Sequence, residues 1–491
     1  MEGLEISEIY KSLLHGPERL EAEYYRKHYI SLELRLKTKQ LMPLSLVTSK
    51  ITDGTHFTPS YTETGVPFLS ALNVLENRLT TEVGHKYISE EEHNELYRRC
   101  DPKAGDVLVR KIGVGPRWAA VVPSNMPTFS LFVSVALLRP RVDIITPEML
   151  AAFINSKYGQ TQLIRVQKGA SQPDLHLEDI KDIFVPIFSE QFQSEIVRLH
   201  ECAIQMSMKG DAFYRNAELL LFGALNYKNA LNIENTISVQ SFKNSFLATG
   251  RLDAEYYQPK YLNSCKVVTE YVNGYEKLSN SCRINDVNFN PEDEVKYKYI
   301  ELSNIDKAGV ITGYTQAAGI ELPSRARRLV NEGDVLISSI EGSLTSCAIV
   351  TAELNGALCS TGFYVIQSPI INSETLLVLF KSQLMQELLK QGCSGTILTA
   401  INKNEFLNLP IPLIDKAMQR DIFQLVQASF KLKAESLRLT DAVKLAVEVA
   451  IEQDEAAALR YINSETQQNA EDFSFEIDMQ KIQDILDQSS V

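Results

Sequence analysis

At 491 residues the chain is too long for one hydrophobic core and suits two to four domains. A hydrophobic content of 44% excludes a disordered chain, no apolar run approaches the ~18–20 residues of a membrane span, and the acidic start Met1-Glu2-Gly3-Leu4-Glu5 is unlike a secretory signal. The net charge of −13 argues against nucleic acid at first sight, but residues 441–491 hold 3 Lys/Arg against 12 Asp/Glu and residues 96–173 hold 11 against 4, so one basic module and one acidic tail describe the chain better.

The first 39 residues read as a helical segment: Leu4, Ile6, Ile9, Tyr10, Leu13 and Leu14 have helical spacing before His15-Gly16-Pro17 interrupts it. Residues 19–25, Arg-Leu-Glu-Ala-Glu-Tyr-Tyr, return almost unchanged at 251–257 as Arg-Leu-Asp-Ala-Glu-Tyr-Tyr. Further pairs follow in the same order: Gly105-Asp106-Val107-Leu108 with Gly333-Asp334-Val335-Leu336, Val185-Pro186-Ile187 with Leu409-Pro410-Ile411, and Gln193-x-x-Ile196 with Gln419-x-x-Ile422. Colinear matches at nearly constant offset identify an internal duplication.

Residues 40–187 alternate short β-branched and aromatic runs with turn signals, and predict an α+β domain with one helix at Pro147–Ser156. Residues 188–235 then predict a first long helix: Phe192, Ile196, Leu199, Ala203, Met206, Gly210, Phe213, Ala217, Leu220 and Ala224 step by four and three throughout, a coiled-coil seam. Residues 236–272 repeat the N-terminal segment, and 273–412 predict a second α+β domain with a helical stretch at Ser373–Leu389. A second long helix over 413–462 carries the matching seam Met418, Ile422, Leu425, Ser429, Leu432, Ser436, Leu439, Val443, Ala446 and Ala450. Small residues in both seams predict close, antiparallel packing and a pseudo-two-fold arrangement of the two domains. The tail, 463–491, is acidic, and its Phe473, Phe475, Ile477, Met479, Ile482 and Ile485 suit either a short amphipathic helix or a solvated extension.

Motifs for chemistry are missing. There is no phosphate-binding G-x-x-x-x-G-K-[ST], no Asn/Asp-Pro-Pro-Tyr/Phe of an amino-methyltransferase, no G-x-S-x-G elbow and no H-E-x-x-H. The seven cysteines are scattered without a C-x-x-C pair, as free thiols in a reducing cytoplasm are, and the dispersed histidines predict no structural metal site. What remains is a recognition surface. The Gly-rich loop Arg110–Trp118 joins cations to a flexible backbone, which suits approach to phosphates and base edges, although a solvated hairpin is the plainer alternative. The candidate DNA contacts are Lys50, Asp53, Thr55, His56 and Thr58 at a first loop, Arg110, Lys111, Arg117 and Trp118 at the second, and Lys168, Ser171 and Gln172 at a third. In the second domain they are Arg325, Arg327, Arg328, Ser339, Ser343, Thr399, Asn402 and Lys403.

With Asp53-Gly54-Thr55-His56-x-Thr58-Pro59, Gly65-Val66-Pro67-Phe68-Leu69, Gly169-Ala170-Ser171-Gln172-Pro173 and the two Pro-Ile elements that open the long helices, residues 40–455 resemble the specificity subunit of type I restriction–modification systems. The same module in a related methyltransferase-based defence system is the alternative the resemblance leaves open. The resemblance implies two target recognition domains that read a bipartite double-stranded DNA sequence across a fixed gap. It also implies docking of two adenine methyltransferase subunits, which use S-adenosylmethionine, and of a nuclease–translocase subunit. The chain itself then holds no cofactor and no catalytic residue. The second domain departs from the pattern, since residues 322–412 hold 6 Lys/Arg against 7 Asp/Glu. A protein-binding adaptor and a self-contained nuclease are the competing classes. The first predicts indifference to charge reversal at Arg110, Lys111 and Arg117; the second predicts metal-dependent cleavage by the pure chain.

Overall fold

The computed structural model describes residues 8–10, 14, 20–81, 84, 86–169, 171–226, 237–306, 308–395 and 399–476, without the side chains of 467–476. It divides into two compact units, one of described residues up to Met206 together with Glu435–Glu476, the other of Ser207–Ala434. The division passes through both long helices, Glu190–Ala224 and Lys416–Glu452, and each unit is mixed α and β.

In the first unit, strand Leu41–Pro43 pairs with Phe184–Pro186 and closes the α+β domain on itself. Its main sheet is antiparallel, in the order Thr48–Asp53, Val135–Pro140, Val107–Arg110, Ala119–Val121. A smaller sheet sets Val66–Leu69 between Tyr87–Ile88, antiparallel, and Ser130–Leu131, parallel. The second unit repeats this plan. Tyr275–Lys277 pairs with Pro410–Pro412, the main sheet runs Arg283–Asn285, Phe363–Gln367, Val335–Ser338, Cys347–Ile349, and Lys296–Ile300 lies between antiparallel Thr315–Ala318 and parallel Leu358–Ser360.

The repeated motifs have local physical reasons. Gly105 and Gly333 both take positive φ, +82° and +81°, the region open to glycine. The carboxylates that follow close the turns: Asp106 accepts the Lys103 amide at 2.8 Å and Asp334 accepts the Asn331 amide at 2.7 Å. In each copy of the repeated heptapeptide a tyrosine meets an arginine. Arg165 lies 4.0 Å over the Tyr24 ring and donates to its carbonyl, while Arg251, paired bidentately with Asp253, lies 4.4 Å over Tyr256. Arg19 lies outside the described residues, as do Leu4, Ile6 and Leu13 of the expected first helix; among the described residues the first α-helix is Lys27–Leu36.

The long helices pack through their seams. In the first unit Phe192, Ile196, Leu199 and Ala203 share a core with Leu439, Val443, Ala446 and Ala450. Ser436 donates to the Ala203 carbonyl at 2.7 Å, and the Ser189 amide donates to Glu455 just beyond the second helix, so the helices run antiparallel. In the second unit Gly210 faces Ser429, Leu432 and Lys433, and Lys433 pairs with Asp211 at 2.7 Å. Phe213, Ile422, Leu425 and Leu432 are buried, while Met206, Leu220 and Met418 are half-buried. From Ala217 the buried side moves to Leu221 and Leu225, the drift of an ordinary 3.6-residue helix from a 3.5-residue repeat.

Three expected elements divide. Ser373–Leu389 is two helices, Ser373–Lys381 and Gln383–Gln391, because Ser382 takes an extended conformation and caps the second by accepting the Met385 amide. Ser156 likewise caps Lys157–Val166, and the preceding helix, Pro147–Asn155, ends there as the sequence predicts. The β-branched and aromatic run Phe129–Leu138, one of those read as strands and hairpins, serves two sheets, as Ser130–Leu131 and Val135–Pro140, with a turn between them. The second long helix ends at Glu452, and Asp454 accepts the Ala457 amide to start Glu455–Glu476, whose Ala458 and Ile462 join the core. Ile477, Met479, Ile482 and Ile485 of the acidic tail lie outside the described residues.

Candidate nucleic-acid interface

The three polar loops singled out in the first domain meet in one chain of ion pairs. Asp53, at the end of its strand and 2% exposed, accepts Arg99 Nη2 at 2.6 Å and lies 3.6 Å from Lys111 Nζ. Lys111, also buried, reaches Asp174 at 3.0 Å beside the third loop. Backbone pairing sets this register: Lys111 donates to the Ser134 carbonyl and accepts from Leu175, and Lys168 exchanges two hydrogen bonds with Asp174. Gly54 allows the first loop to close in, since a Cβ there would lie 2.0 Å from the Leu131 carbonyl oxygen.

Not every cation expected to face DNA is free. Arg117 is buried, donating to Gly113 and Gln167 at 2.7 Å and to Pro173 at 3.4 Å, and its Nε meets no partner among the described residues. Arg110 donates to the Val74 carbonyl, and burial lowers the pKa of both guanidinium groups. Lys50 donates to Asp101 at 2.6 Å and to the Arg99 carbonyl. Lys168 pairs with Asp179 at 2.8 Å but stays exposed, as do His56, Thr58, Ser171 and Gln172; Trp118 is half-buried and Thr55 buried. The loops therefore give the surface its shape, and the exposed donors are fewer than the sequence suggests.

One residue that sequence reasoning missed stands at the solvent end of the ion chain. The Arg99 side chain is 54% exposed, and His56, 58% exposed, sits 3.2 Å from its Nη2. Together with Gly54, Thr55, Phe57, Glu95, Leu96, Cys100 and Leu131 they line a cavity of about 320 Å³. Burial pushes the Cys100 thiol up to about 12, so it is no nucleophile at neutral pH. The only sequence signal for Arg99 is its place beside Arg98 in the basic stretch.

In the second unit Asp286 pairs with Lys403, which lowers the Asp286 pKa, and Asn402 caps the short helix that Lys403 begins. Arg325 is exposed, whereas Arg327 donates to Asn290 and Arg328 to Asn288. Ser339 donates to the Gly362 carbonyl, Ser343 bonds Ser338, and Thr399 is half-buried. Among the described residues no group of three or more His, Cys, Asp and Glu side chains is arranged for a metal ion, no helix is long and apolar enough to cross a membrane, and the cysteines are unpaired.

No family model matches the chain. It is similar to the "Type I restriction enzyme EcoBI specificity subunit" of Escherichia coli, with 32% identity over 102 residues, 21% of each chain; the match spans about a fifth of that relative's length. Among solved structures it is similar to the type I restriction–modification S subunit from M. genitalium, 11% identical over 84% of this chain and 95% of that one, with a TM-score of 0.38. The HsdS subunit from Thermoanaerobacter tengcongensis is 14% identical over 84% and 97%, with a TM-score of 0.26.

Proposed function

We propose that the chain is a non-catalytic specificity subunit of a type I-like restriction–modification or related defence complex. It binds a bipartite double-stranded DNA target with a gap of fixed length, one half per α+β unit, in the cytoplasm. It docks adenine methyltransferase subunits, which bring S-adenosylmethionine and the chemistry, and a nuclease–translocase subunit is a further partner. The observation that carries this reading is the duplication: two α+β units whose main sheets have the same strand order, each leading into a long helix, while their loops differ. A repeated scaffold with unlike loops suits a reader of two unlike half-sites. The sequence similarity to a specificity subunit supports it.

The test is a map of modified adenines in a host without other methylation, expressing this chain with its methyltransferase. The expected result is one bipartite motif with a constant gap, abolished when either α+β domain is deleted. A protein-binding adaptor is the second reading, favoured by the burial of Lys111 and Arg117, whose charges face acceptors inside the protein. A stable complex that leaves the DNA unmodified would bring that reading forward.

A further inference from the structure

The two units hold an equivalent aspartate but pair it with different cations. Leu108 and Leu336 occupy the same place in the repeated Gly-Asp-Val-Leu motif; Leu108 pairs with Leu137, whose other neighbour is Thr52, and Leu336 pairs with Val365, whose other neighbour is Asn285. Asp53 and Asp286 come next along the chain, Asp53 as the last residue of its strand and Asp286 just past the end of its own, so the duplication makes them counterparts. Asp53 holds Arg99, which follows the helix Glu90–Tyr97 early in its domain. Asp286 holds Lys403, which begins the helix Lys403–Leu407 late in its domain. Both cations remain about half exposed, at 54% and 52%. The rest of the first ion chain has no counterpart: Lys111 is matched by Ser339 and Asp174 by Ala400, as their shared backbone hydrogen bonds show.

We infer that Arg99 and Lys403 are specificity-determining residues, each held by its aspartate to donate to a base-edge acceptor, one in each half of the DNA target. The inference rests on the DNA-reading function proposed above and deepens it. Phosphates are alike in every sequence, so a phosphate clamp belongs to the part of a duplicated scaffold that both copies keep. Here the anchor is kept, and the donor changes in type and in its place along the chain. Arg99 Nη2 is engaged by Asp53 and His56, while Nε and Nη1 donate to no described residue. A guanidinium and an ammonium also discriminate differently: the first is a planar fork suited to guanine N7 and O6, the second a compact charge. His56 and Phe57, exposed beside Arg99, frame the approach of one base pair.

The experiment maps modified adenines for the complex of the full chain with its methyltransferase, in wild type and in Arg99→Gln, Arg99→Lys and Lys403→Gln. With Arg99→Gln, preference for the wild-type base pair at one position of one half-site should fall roughly 5- to 150-fold, with the other half-site and the gap unchanged. Lys403→Gln should relax one position in the opposite half-site. Arg99→Lys keeps a charge beside Asp53 and should still relax the same position, and it decides the case if Arg99→Gln does not assemble with the methyltransferase. An unchanged motif in these variants, with or without a uniform loss of modification at all sites, overturns the inference. If wild type itself yields no bipartite motif, the DNA-reading function fails, and the two failures are thereby told apart.

Discussion

Gln193 Oε1 accepts the backbone N–H of Thr146 at 2.9 Å, joining the first long helix to the N-terminus of the helix Pro147–Asn155. The same buried amide donates to the carbonyls of Ile144 and Phe188, so a single side chain satisfies three main-chain groups. Gln419 repeats the arrangement, accepting from Asn372 at 3.0 Å and donating to Ile370 and Ile414. The recurring Gln-x-x-Ile motif is thus a clamp, with the isoleucine filling the seam one turn later.

Gln193→Ala should cost roughly 2–4 kcal/mol, because it strands buried main-chain groups as well as losing its own hydrogen bonds. Amide hydrogen exchange is the measurement: protection should fall in Pro147–Asn155, and for Gln419→Ala in Ser373–Lys381. Unchanged exchange in both would refute the clamp.

Gly210 tests the packing of the helices. An added Cβ would meet the Ser429 carbonyl and Lys433 Cγ at 3.1 Å. Gly210→Ala should therefore be close to neutral, its helix propensity gain of about 1 kcal/mol offset by that contact. Gly210→Leu should destabilise by about 2 kcal/mol or more, read from the denaturation midpoint.

Arg117 should behave as a structural residue. Arg117→Ala removes the donor that ties Gly113, Gln167 and Pro173 together, and should lower stability by about 3 kcal/mol. Thermal melting before any DNA assay checks it: DNA association lost without a change in melting would place Arg117 at the DNA instead.

His200 supplies a pH dependence. Burial lowers its pKa to about 4, against an ordinary value near 6.5 in the unfolded chain. Between these values the unfolded state binds the proton and the folded state resists it, so stability falls as pH drops below 6.5 and rises as pH increases. At pH 5 the native state should have lost about 2 kcal/mol relative to pH 7 through this group. His200→Leu should flatten that part of the profile, measured as the difference in urea midpoints at the two pH values.

The duplication, the two helical seams and the turn motifs were legible because each depends on residues close in the chain. The repeated Gly-Asp turns are closed locally, by Asp106 on Lys103 and Asp334 on Asn331, and a four-three apolar repeat must bury one side of a helix. The break at Ser382 was not legible, since the apolar pattern runs on through a capping serine. The fates of the cations were also hidden. Lys111 and Arg117 lie in a Gly-rich loop whose composition suggests exposure, yet the third loop folds back and supplies Asp174 and Pro173 as acceptors.

By itself the sequence determined that this protein is a tandem pair of α+β domains with long seamed helices, because periodicity and repetition follow from covalent spacing. The tertiary structure alone decided which charges face solvent. Arg99 and Asp53 stand 46 positions apart, and their pairing follows from where a helix ends against a strand. An ion pair costs desolvation unless its geometry is right, and no local pattern of residues encodes that geometry.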